Sequence, residues 1–267
     1  MVNTVEPPLL SLIMPCYNEE DVIGYTIPRL VHAFERSGYP LQLVACNNGS
    51  VDRTGELIEA FIAEGYPIVL KHIEVNQGYG NGVLEAVPLC TGALIGIIPA
   101  DGQVDAEDVV RVYESVARSD GLVLGKVFRR FRLDGPWRSF VSTFYNLFML
   151  TLWPNIGSYD VNGSPKIMPR NVFEAMKLES RDWLLDPEIM IKAGYMGINV
   201  IEMNAFSRMR EHGESHVQVA TIWNFISVLL AFRFGAKLKN WRKAYIESGG
   251  VKGQPAMQGS AVTTSTD

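Results

Sequence analysis

Residues 9–20, LLSLIMPCYNEE, join a short apolar run to a polar cluster that begins after Pro15. The apolar run predicts a buried β-strand. Apolar residues then recur with helical spacing between residues 19 and 37. A strand, a polar loop and a helix in this order form the first half of a βαβ unit, so this stretch favours an α/β fold with a parallel sheet.

The same alternation continues along the first half of the chain. Further strands are predicted at residues 41–46, 67–73, 94–98 and 121–127, and helices within 47–65 and at 80–90 and 105–118. This order predicts a Rossmann-like fold, a mostly parallel sheet that helices cover on both faces. Ligands of such sheets bind at the carboxyl ends of the strands.

The pattern changes after about residue 130. Residues 137–153 and 221–232 are strongly apolar and predict helices, and a short strand is expected within 157–170 and another at 198–203. A basic segment, 233–243, follows the second apolar helix. No stretch reaches the roughly 18 uninterrupted apolar residues that a membrane-spanning helix needs. The last residues, rich in Gly, Ser and Thr, are expected to be disordered.

The composition excludes several classes of protein. The chain has 267 residues, a formal net charge of −5 and a pI of about 5.5, which argue against a nucleic-acid partner. The three cysteines, Cys16, Cys46 and Cys90, have no close spacing. We therefore expect reduced core cysteines in a cytosolic protein, and neither a disulfide framework nor a zinc site.

Polar clusters follow four of the predicted strands. They read PCYNEE, CNNGS, NQGYGNG and PADGQ. Each has a simple structural interpretation, since Asn and Gly favour turns and acids favour the first turn of a helix. Their common position at strand ends instead indicates a ligand site. The glycine spacing of the third cluster matches neither the dinucleotide fingerprint nor a phosphate-binding loop.

The acidic stretch 96–108, GIIPADGQVDAED, has carboxylates with two different interpretations. Asp105, with two acids after it, is well placed to cap the next helix. Asp101 is not needed for the cap, and with Gln103 it could hold a hard divalent cation. An Asp-x-Asp pair would be the expected clamp, but Pro99 occupies the place of the first Asp.

Basic residues in the second half could bind a phosphate or form a solvated face. Arg138 and Ser142 lie four residues apart and so share one face of the predicted helix. Arg129 precedes them, and Arg210 and Ser215 lie in the segment RMREHGESH. The two histidines of that segment lack an evident third ligand, so a zinc site there is not expected.

The order of these motifs is more specific than any one of them. MPCYNEE, NNGSVDRT, NQGYGNGVLEA and ADGQVDAED in this order resemble the inverting family-2 glycosyltransferases, which have the GT-A fold. The later segments GKVFRRFRLDGPWRSFVSTFYNLF, YDVNGSPKIMPRNVFEAMKL, LLDPEIMIKAGYMGINVIEM and RMREHGESH resemble the branch that makes polyprenyl-phosphate sugars, the dolichol-phosphate-mannose synthase type. The resemblance covers residues 9 to about 217.

The resemblance implies a donor site made of the strand-end residues. The nucleotide sugar would be bound by Pro15, Tyr17, Asn18, Glu19, Asn47, Asn48, Gly78 and Asp101. Asn47 and Asn48 stand where the family usually has two Asp. Asp101 and Gln103 would be the ligands of Mg²⁺ or Mn²⁺, with the first Asp of the usual pair replaced by Pro99.

The resemblance also implies an acceptor site for a dolichyl or undecaprenyl phosphate. The phosphate would be bound by Lys126, Arg129, Arg138, Ser142, Arg210 and Ser215. Asp101, Arg138 and Arg210 would be the catalytic residues. Because a phosphate acceptor is already an anion, no strong general base is required, and in-line attack would invert the anomeric centre.

A lipid acceptor implies a membrane surface as a partner. We expect a GT-A domain over residues 1–217, amphipathic and basic interfacial helices over 218–246, and a disordered tail over 247–267. The protein would then be cytoplasmic and peripheral, on the cytoplasmic face of a membrane. The apolar helices could equally be core or oligomer-interface helices, and a membrane-protein subunit is left open. There are two alternatives to transfer onto a polyprenyl phosphate. One is a glycosyltransferase with a soluble or glycan acceptor, and the other is a protein that binds a nucleotide sugar without catalysis.

Overall fold

The structure is a computed structural model. It describes the backbone of residues 8–119, 121–132, 136–207 and 219–251, and the side chains of 8–119, 121–129, 142–205 and 225–251. The strands are β1 Leu10–Cys16, β2 Leu41–Asn48, β3 Ile68–Ile73, β4 Leu94–Ile97, β5 Val123–Arg132, β6 Lys166–Pro169 and β7 Asn199–Ser207. The helices are α1 Glu20–Arg36, α2 Thr54–Ala63, α3 Tyr79–Ala86, α4 Ala106–Ala117, α5 Pro136–Leu152, α6 Arg170–Met176, α7 Leu185–Met196, α8 Val219–Phe234 and α9 Ala236–Glu247.

The described strands form one sheet in the order β3-β2-β1-β4-β6-β5-β7. Pairing is parallel except at β6, which is antiparallel to β4 and to β5. Helices lie on both faces, so the predicted mostly parallel α/β sheet is confirmed. The carboxyl ends of β1, β2 and β4 meet at one edge, where the polar clusters begin.

The inserted strand β6 places two lysines side by side. Lys166 pairs in register with Ile97 of β4 on one side and with Lys126 of β5 on the other. Both lysine side chains have 0% exposure. A buried charge is costly unless it is paired, so this part of the sheet needs acidic partners.

Two apolar layers fill the space between the sheet and its helices. On one face, α1 and α4 pack against alternate residues of β1, with Phe34, Tyr113 and Leu12 fully buried. On the other face, α3, α5, α6 and α7 pack against Ile13 and its neighbours. Strands that are buried on both faces read as continuous apolar runs, as β1 does in the sequence.

The helix starts differ in part from the predicted caps. Helix α1 begins without a side-chain cap, and the backbone N–H groups of Glu19 and Glu20 donate to Thr54 Oγ1 at the start of α2 and to Asp52 Oδ2 in the loop before it. Asp105 does precede α4, but its side chain makes no capping bond and pairs with Arg29. The two loops after β1 and β2 are therefore held together by side-chain bonds.

The C-terminal helices pack on the rest of the protein. Leu229 and Phe232 of α8 and Leu238 of α9 are buried, and Trp241 donates from Nε1 to the carbonyl of Ala175 in α6. Phe234 remains 77% exposed. Within the described residues, we find no helix that combines the length and the apolar character needed to cross a membrane.

Candidate active site

The loop after β1 and the loop after β2, at the carboxyl edge of the sheet, form the first wall of the site. The amide of Asn18 accepts from Val51 N at 2.9 Å, and Asn18 N donates to Ser50 Oγ at 3.1 Å. Asn18 has φ 55°, a left-handed conformation that Asn tolerates better than most residues. Pro15 is buried beneath the loop, and Tyr17 is 47% exposed, so its ring presents an aromatic face to this wall.

The two adjacent asparagines have different roles. Asn47 is partly exposed; its Oδ1 accepts from Ser50 N, and its Nδ2 lies 3.3 Å from His72 Nδ1. Asn48 is 3% exposed, and its Nδ2 donates to Asn76 Oδ1 and to the carbonyl of Gly78. Of these two predicted donor contacts, Asn47 is therefore the more accessible, because Asn48 is buried and holds the glycine-rich loop.

The glycine-rich loop packs against the segment before α7. Asn81 N donates to the carbonyl of Arg181 at 2.7 Å. A Cβ on Gly78 would lie 2.5 Å from the carbonyl oxygen of Arg181, and one on Gly80 would lie 2.3 Å from that of Ser180. These glycines are therefore explained by close backbone contact with residues 180–182, which the sequence analysis did not identify.

Buried charges hold the segment before α7 in place. Glu188 is 1% exposed, accepts from the backbone N–H groups of Glu179 and Ser180, and pairs with Lys192 at 2.6 Å. At the end of the segment, Trp183 is 68% exposed and stacks on Tyr79, with ring centroids 5.2 Å apart and planes 3° apart. The segment before α7 forms the second wall of the site. These contacts attach it to Tyr79 and to the glycine-rich loop.

Asp101 lies past the end of β4, between these walls. Its Oδ1 accepts from Gln103 N at 3.1 Å, and Nε2 of Gln103 is buried without a hydrogen-bond partner. In the part of the chain with described side chains, no three His, Cys, Asp or Glu residues come together as a metal site. Asp101 and Gln103 can supply one carboxylate and one amide oxygen, which suits a cation that takes its other ligands from phosphate and water.

Lys126 is an internal residue of a buried ion network. Its Nζ donates to the carbonyl of Asp160 at 2.5 Å, to Ser158 Oγ at 3.2 Å and to Glu202 at 3.0 Å. Burial and the charge of Lys166 lower the pKa of Lys126 to about 8, against the opposing effect of Asp160 and Glu202. With no exposed surface and several protein partners, Lys126 does not fit the predicted role of a phosphate contact.

Arg129 is also committed to this network. Its Nε and Nη2 both donate to the Asp160 carboxylate, each at 2.8 Å. Burial alone would lower the pKa of Arg129, but the Asp160 pair and the charges of Asp186 and Asp101 raise it. A bidentate pair of this kind fixes both side chains, so direct acceptor binding by Arg129 would require Asp160 to release it.

Lys166 holds a second carboxylate at the site. Its Nζ lies 2.5 Å from Asp186 Oδ1 in the first turn of α7. The charge of Asp186 raises the pKa of Tyr79, of Arg129 and of Tyr145. Asp186 and Asp160 are thus each paired with a cation, Lys166 and Arg129 respectively.

The remaining predicted acceptor residues are only partly described. Ser142 is half-buried on α5. Arg138 lies on the same helix, but its side chain is outside the described part, and Arg210 and Ser215 lie outside the described residues altogether. The sequence analysis missed Asp160, Asp186 and Glu202. A lysine inside each of two buried strands was the available signal, because such lysines require acidic partners.

The chain matches the model of glycosyl transferase family 2 over residues 11–176, which is more than half of its length. It belongs to this family. The match begins in β1, ends in α6 and includes the strand-end loops, Asp101 and Lys166. The match confirms the family that the order of the motifs indicated.

Two relatives of this chain have names that state a polyprenyl phosphate. Undecaprenyl-phosphate 4-deoxy-4-formamido-L-arabinose transferase of Pseudomonas paraeruginosa is 27% identical over 219 residues, which cover 82% of this chain and 63% of the relative. Dodecaprenyl-phosphate galacturonate synthase of Rhizobium johnstonii is 24% identical over 233 residues, 86% of this chain and 68% of the relative. This chain spans less than two thirds of the Pseudomonas relative.

A solved structure with a similar fold contains a metal ion, a nucleotide and phosphoglyceric acid. It is glucosyl-3-phosphoglycerate synthase from Mycobacterium tuberculosis in complex with Mn²⁺, uridine diphosphate and phosphoglyceric acid, with a TM-score of 0.66 and 17% identity over 85% of this chain and 79% of that chain. Another structure of that synthase contains Mg²⁺ and uridine diphosphate. At this identity the likeness concerns the fold alone, and it confirms the GT-A architecture.

The buried position of Lys126 can be tested by substitution. Lys126→Met leaves Glu202 without its cation, so we expect a loss of about 3 kcal/mol or more in the free energy of unfolding, measured with urea. Lys237→Met, which removes an exposed lysine of α9, is the matched control and should change stability by less than about 0.5 kcal/mol. A Lys126→Met protein of unchanged stability would contradict the structural role.

Proposed function

We propose that this protein transfers a sugar from a nucleotide-sugar donor to a polyprenyl phosphate, with inversion at the anomeric carbon. The donor would bind at the carboxyl edge of the sheet, with its base near Asn47 and Tyr17 and its diphosphate near Asp101. The names of the Pseudomonas and Rhizobium relatives support the lipid acceptor.

Helix α5 supplies the structural observation that carries the lipid acceptor. One face is turned into the protein: Asn146 Oδ1 accepts from Val161 N, and Tyr145 packs against Phe225 of α8. On the same helix, Phe144 is 58% exposed and Leu147 61% exposed. A helix with an exposed apolar face, which also carries Arg138 and Ser142, suits an acceptor with a phosphate head and a hydrocarbon tail.

The C-terminal helices support binding to a membrane surface. Phe234 at the end of α8 is exposed, and α9 exposes Lys237, Lys239, Arg242 and Lys243. Exposed basic residues near a membrane each contribute on the order of 1 kcal/mol of attraction to anionic headgroups. We infer a peripheral protein on the cytoplasmic face, where α5 and α8 would meet the lipid. Self-association or a membrane-protein subunit would use the same apolar surfaces.

The chemistry requires positioning and charge neutralisation. A phosphate acceptor is an anion near neutral pH, so the protein must hold it in line with the anomeric carbon and stabilise the leaving nucleoside diphosphate. Arg138 and Arg210 are assigned to the acceptor phosphate and Asp101 to the donor. When bound by Asp101 and Gln103, Mg²⁺ or Mn²⁺ would neutralise charge on the diphosphate.

A soluble phosphorylated acceptor is the second candidate. The phosphoglyceric acid in the M. tuberculosis structure favours it, because that acceptor is bound by a protein of the same fold. Nucleotide-sugar binding without catalysis is a third possibility, which the proline at position 99 raises. The first candidate transfers the sugar to a lipid, the second transfers it to a soluble acceptor, and the third transfers nothing.

A transfer assay separates these candidates. The purified protein would be incubated with a panel of nucleotide sugars and either undecaprenyl phosphate or 3-phosphoglycerate, with Mn²⁺, Mg²⁺ or EDTA, and products detected by mass spectrometry. We expect a glycosyl lipid phosphate that forms with metal and not with EDTA. Product on 3-phosphoglycerate alone would support the soluble acceptor, and donor binding without any product would support the inactive protein.

Asp101 is the residue on which the donor assignment depends. Asp101→Asn removes the carboxylate while it keeps the size of the side chain and an oxygen that can accept from Gln103 N. We expect turnover to fall at least about 100-fold, because the cation that would neutralise the diphosphate loses its carboxylate ligand. Thermal unfolding checks the fold, and Asp105→Asn at the start of α4 is the control. Full activity of Asp101→Asn would overturn the assignment.

Arg138 is assigned to the acceptor rather than to the donor. Arg138→Ala should raise the KM for undecaprenyl phosphate by about 10-fold or more and leave the KM for the nucleotide sugar nearly unchanged. Arg111→Ala, on the exposed side of α4, is the control. An equal rise for both substrates would remove the proposed role.

A further inference from the structure

Asn47, the proposed contact to the base, is joined to a histidine on the neighbouring strand. Asn47 of β2 and His72 of β3 are register partners in the parallel part of the sheet. Asn47 Nδ2 lies 3.3 Å from His72 Nδ1, and His72 Nε2 lies 3.2 Å from Glu59 Oε1 of α2. The three side chains therefore form a chain of hydrogen bonds from the carboxyl edge of the sheet to α2.

The donor and acceptor roles along this chain are fixed from one end. Asn47 Oδ1 accepts from Ser50 N at 3.2 Å, so Nδ2 is the group that faces His72. An amide nitrogen can only donate, so Nδ1 of His72 must be the acceptor. The neutral imidazole then carries its proton on Nε2, which donates to the Glu59 carboxylate. Glu59 thus favours the tautomer of His72 that can hold the Asn47 amide.

Helix α2 leaves room for this contact. Gly55 and Glu59 lie four residues apart on α2 and so share one face of the helix. A Cβ on Gly55 would lie 2.6 Å from Asn47 Nδ2 and 3.5 Å from His72 Cε1. Because a Cβ at that distance would displace the Asn47 amide, glycine at position 55 preserves the contact between Asn47 and His72.

The effect of these bonds is local to the site. The side chains of Glu59 and His72 are 63% and 52% exposed, and exposed pairs of this kind contribute little to the free energy of unfolding. An amide with one bond at each end keeps one hydrogen on Nδ2 and one lone pair on Oδ1 for a ligand. With both ends held, Asn47 presents a donor and an acceptor in a fixed order, and bases differ in the order of these groups along their edges.

We propose that His72 and Glu59 are positioning residues, which fix the amide of Asn47 and thereby set the base selectivity of the donor site. This inference rests on the proposed function, because it takes Asn47 as the contact to the base. His72 acts through Asn47 and is assigned no contact with the nucleotide. Loss of its acceptor nitrogen would allow the Asn47 amide to turn and would weaken the discrimination between bases.

Nucleotide binding without acceptor tests this effect. The native protein and His72→Leu would be titrated calorimetrically, with Mn²⁺, against uridine, guanosine, cytidine and adenosine diphosphates. The preferred diphosphate should bind about 5-fold more weakly to His72→Leu, as for one lost hydrogen bond, and its margin over the other three should shrink. His72→Gln should recover most of the native affinity, because Oε1 can accept from Asn47. His32→Leu, at an exposed histidine of α1, is the control and should bind like the native protein.

A double-mutant cycle separates positioning from a general structural effect. Asn47→Ala should itself weaken binding of the preferred diphosphate. His72→Leu added to Asn47→Ala should cause no further loss, because the amide that His72 holds is already absent. An equal loss from His72→Leu in both backgrounds would overturn the inference. So would a native protein that binds all four diphosphates equally or binds none of them.

The tautomer of His72 is a readout that does not depend on a nucleotide. Nitrogen NMR of protein labelled in its four histidines, in weakly alkaline buffer, should show His72 with its proton on Nε2. The spectrum of His72→Leu assigns the signals. Glu59→Gln should keep this tautomer, because Gln can still accept from Nε2, and Glu59→Leu should lower its share. A proton on Nδ1 in the native protein would overturn the inference.

The proposed function can fail separately from this inference. Every measurement of the inference is made without acceptor. Failure of transfer to undecaprenyl phosphate, with the binding and NMR results as expected, would therefore overturn the lipid acceptor and leave the role of His72 in place.

Discussion

Two lysines that lie side by side inside the sheet constrain the rest of the site. Lys126 and Lys166 are register partners on adjacent strands and have no exposed surface. Their charges must be neutralised within the protein, and Glu202 and Asp186 do this through direct ion pairs. Since the lysines belong to the rigid sheet, the carboxylates that pair with them are held at fixed positions beside the site.

This constraint links the two halves of the chain. The first half supplies the strand-end loops and Asp101, and the second half supplies β6, Asp160 and Asp186. The glycine-rich loop is in close contact with residues 180–182, so the halves meet around one space.

Much of the fold could be predicted from the sequence, because strands such as Leu10–Cys16 are buried on both faces and appear as apolar runs. The position of Asp101 at a strand end was predictable for the same reason. The pairing of Lys166 with Asp186 and the stacking of Tyr79 on Trp183 were not, because both join residues that are far apart in the chain. The contact of Lys166 with Asp186 also depends on the antiparallel insertion of β6, which the pattern of short strands did not specify.

A crystal structure of the protein with a non-hydrolysable nucleotide sugar and Mn²⁺ would test the account most directly. We expect the base near Asn47 and the diphosphate next to Asp101. A nucleotide bound away from the carboxyl edge of the sheet, or a diphosphate that contacts neither Asp101 nor a cation held by it, would contradict this placement.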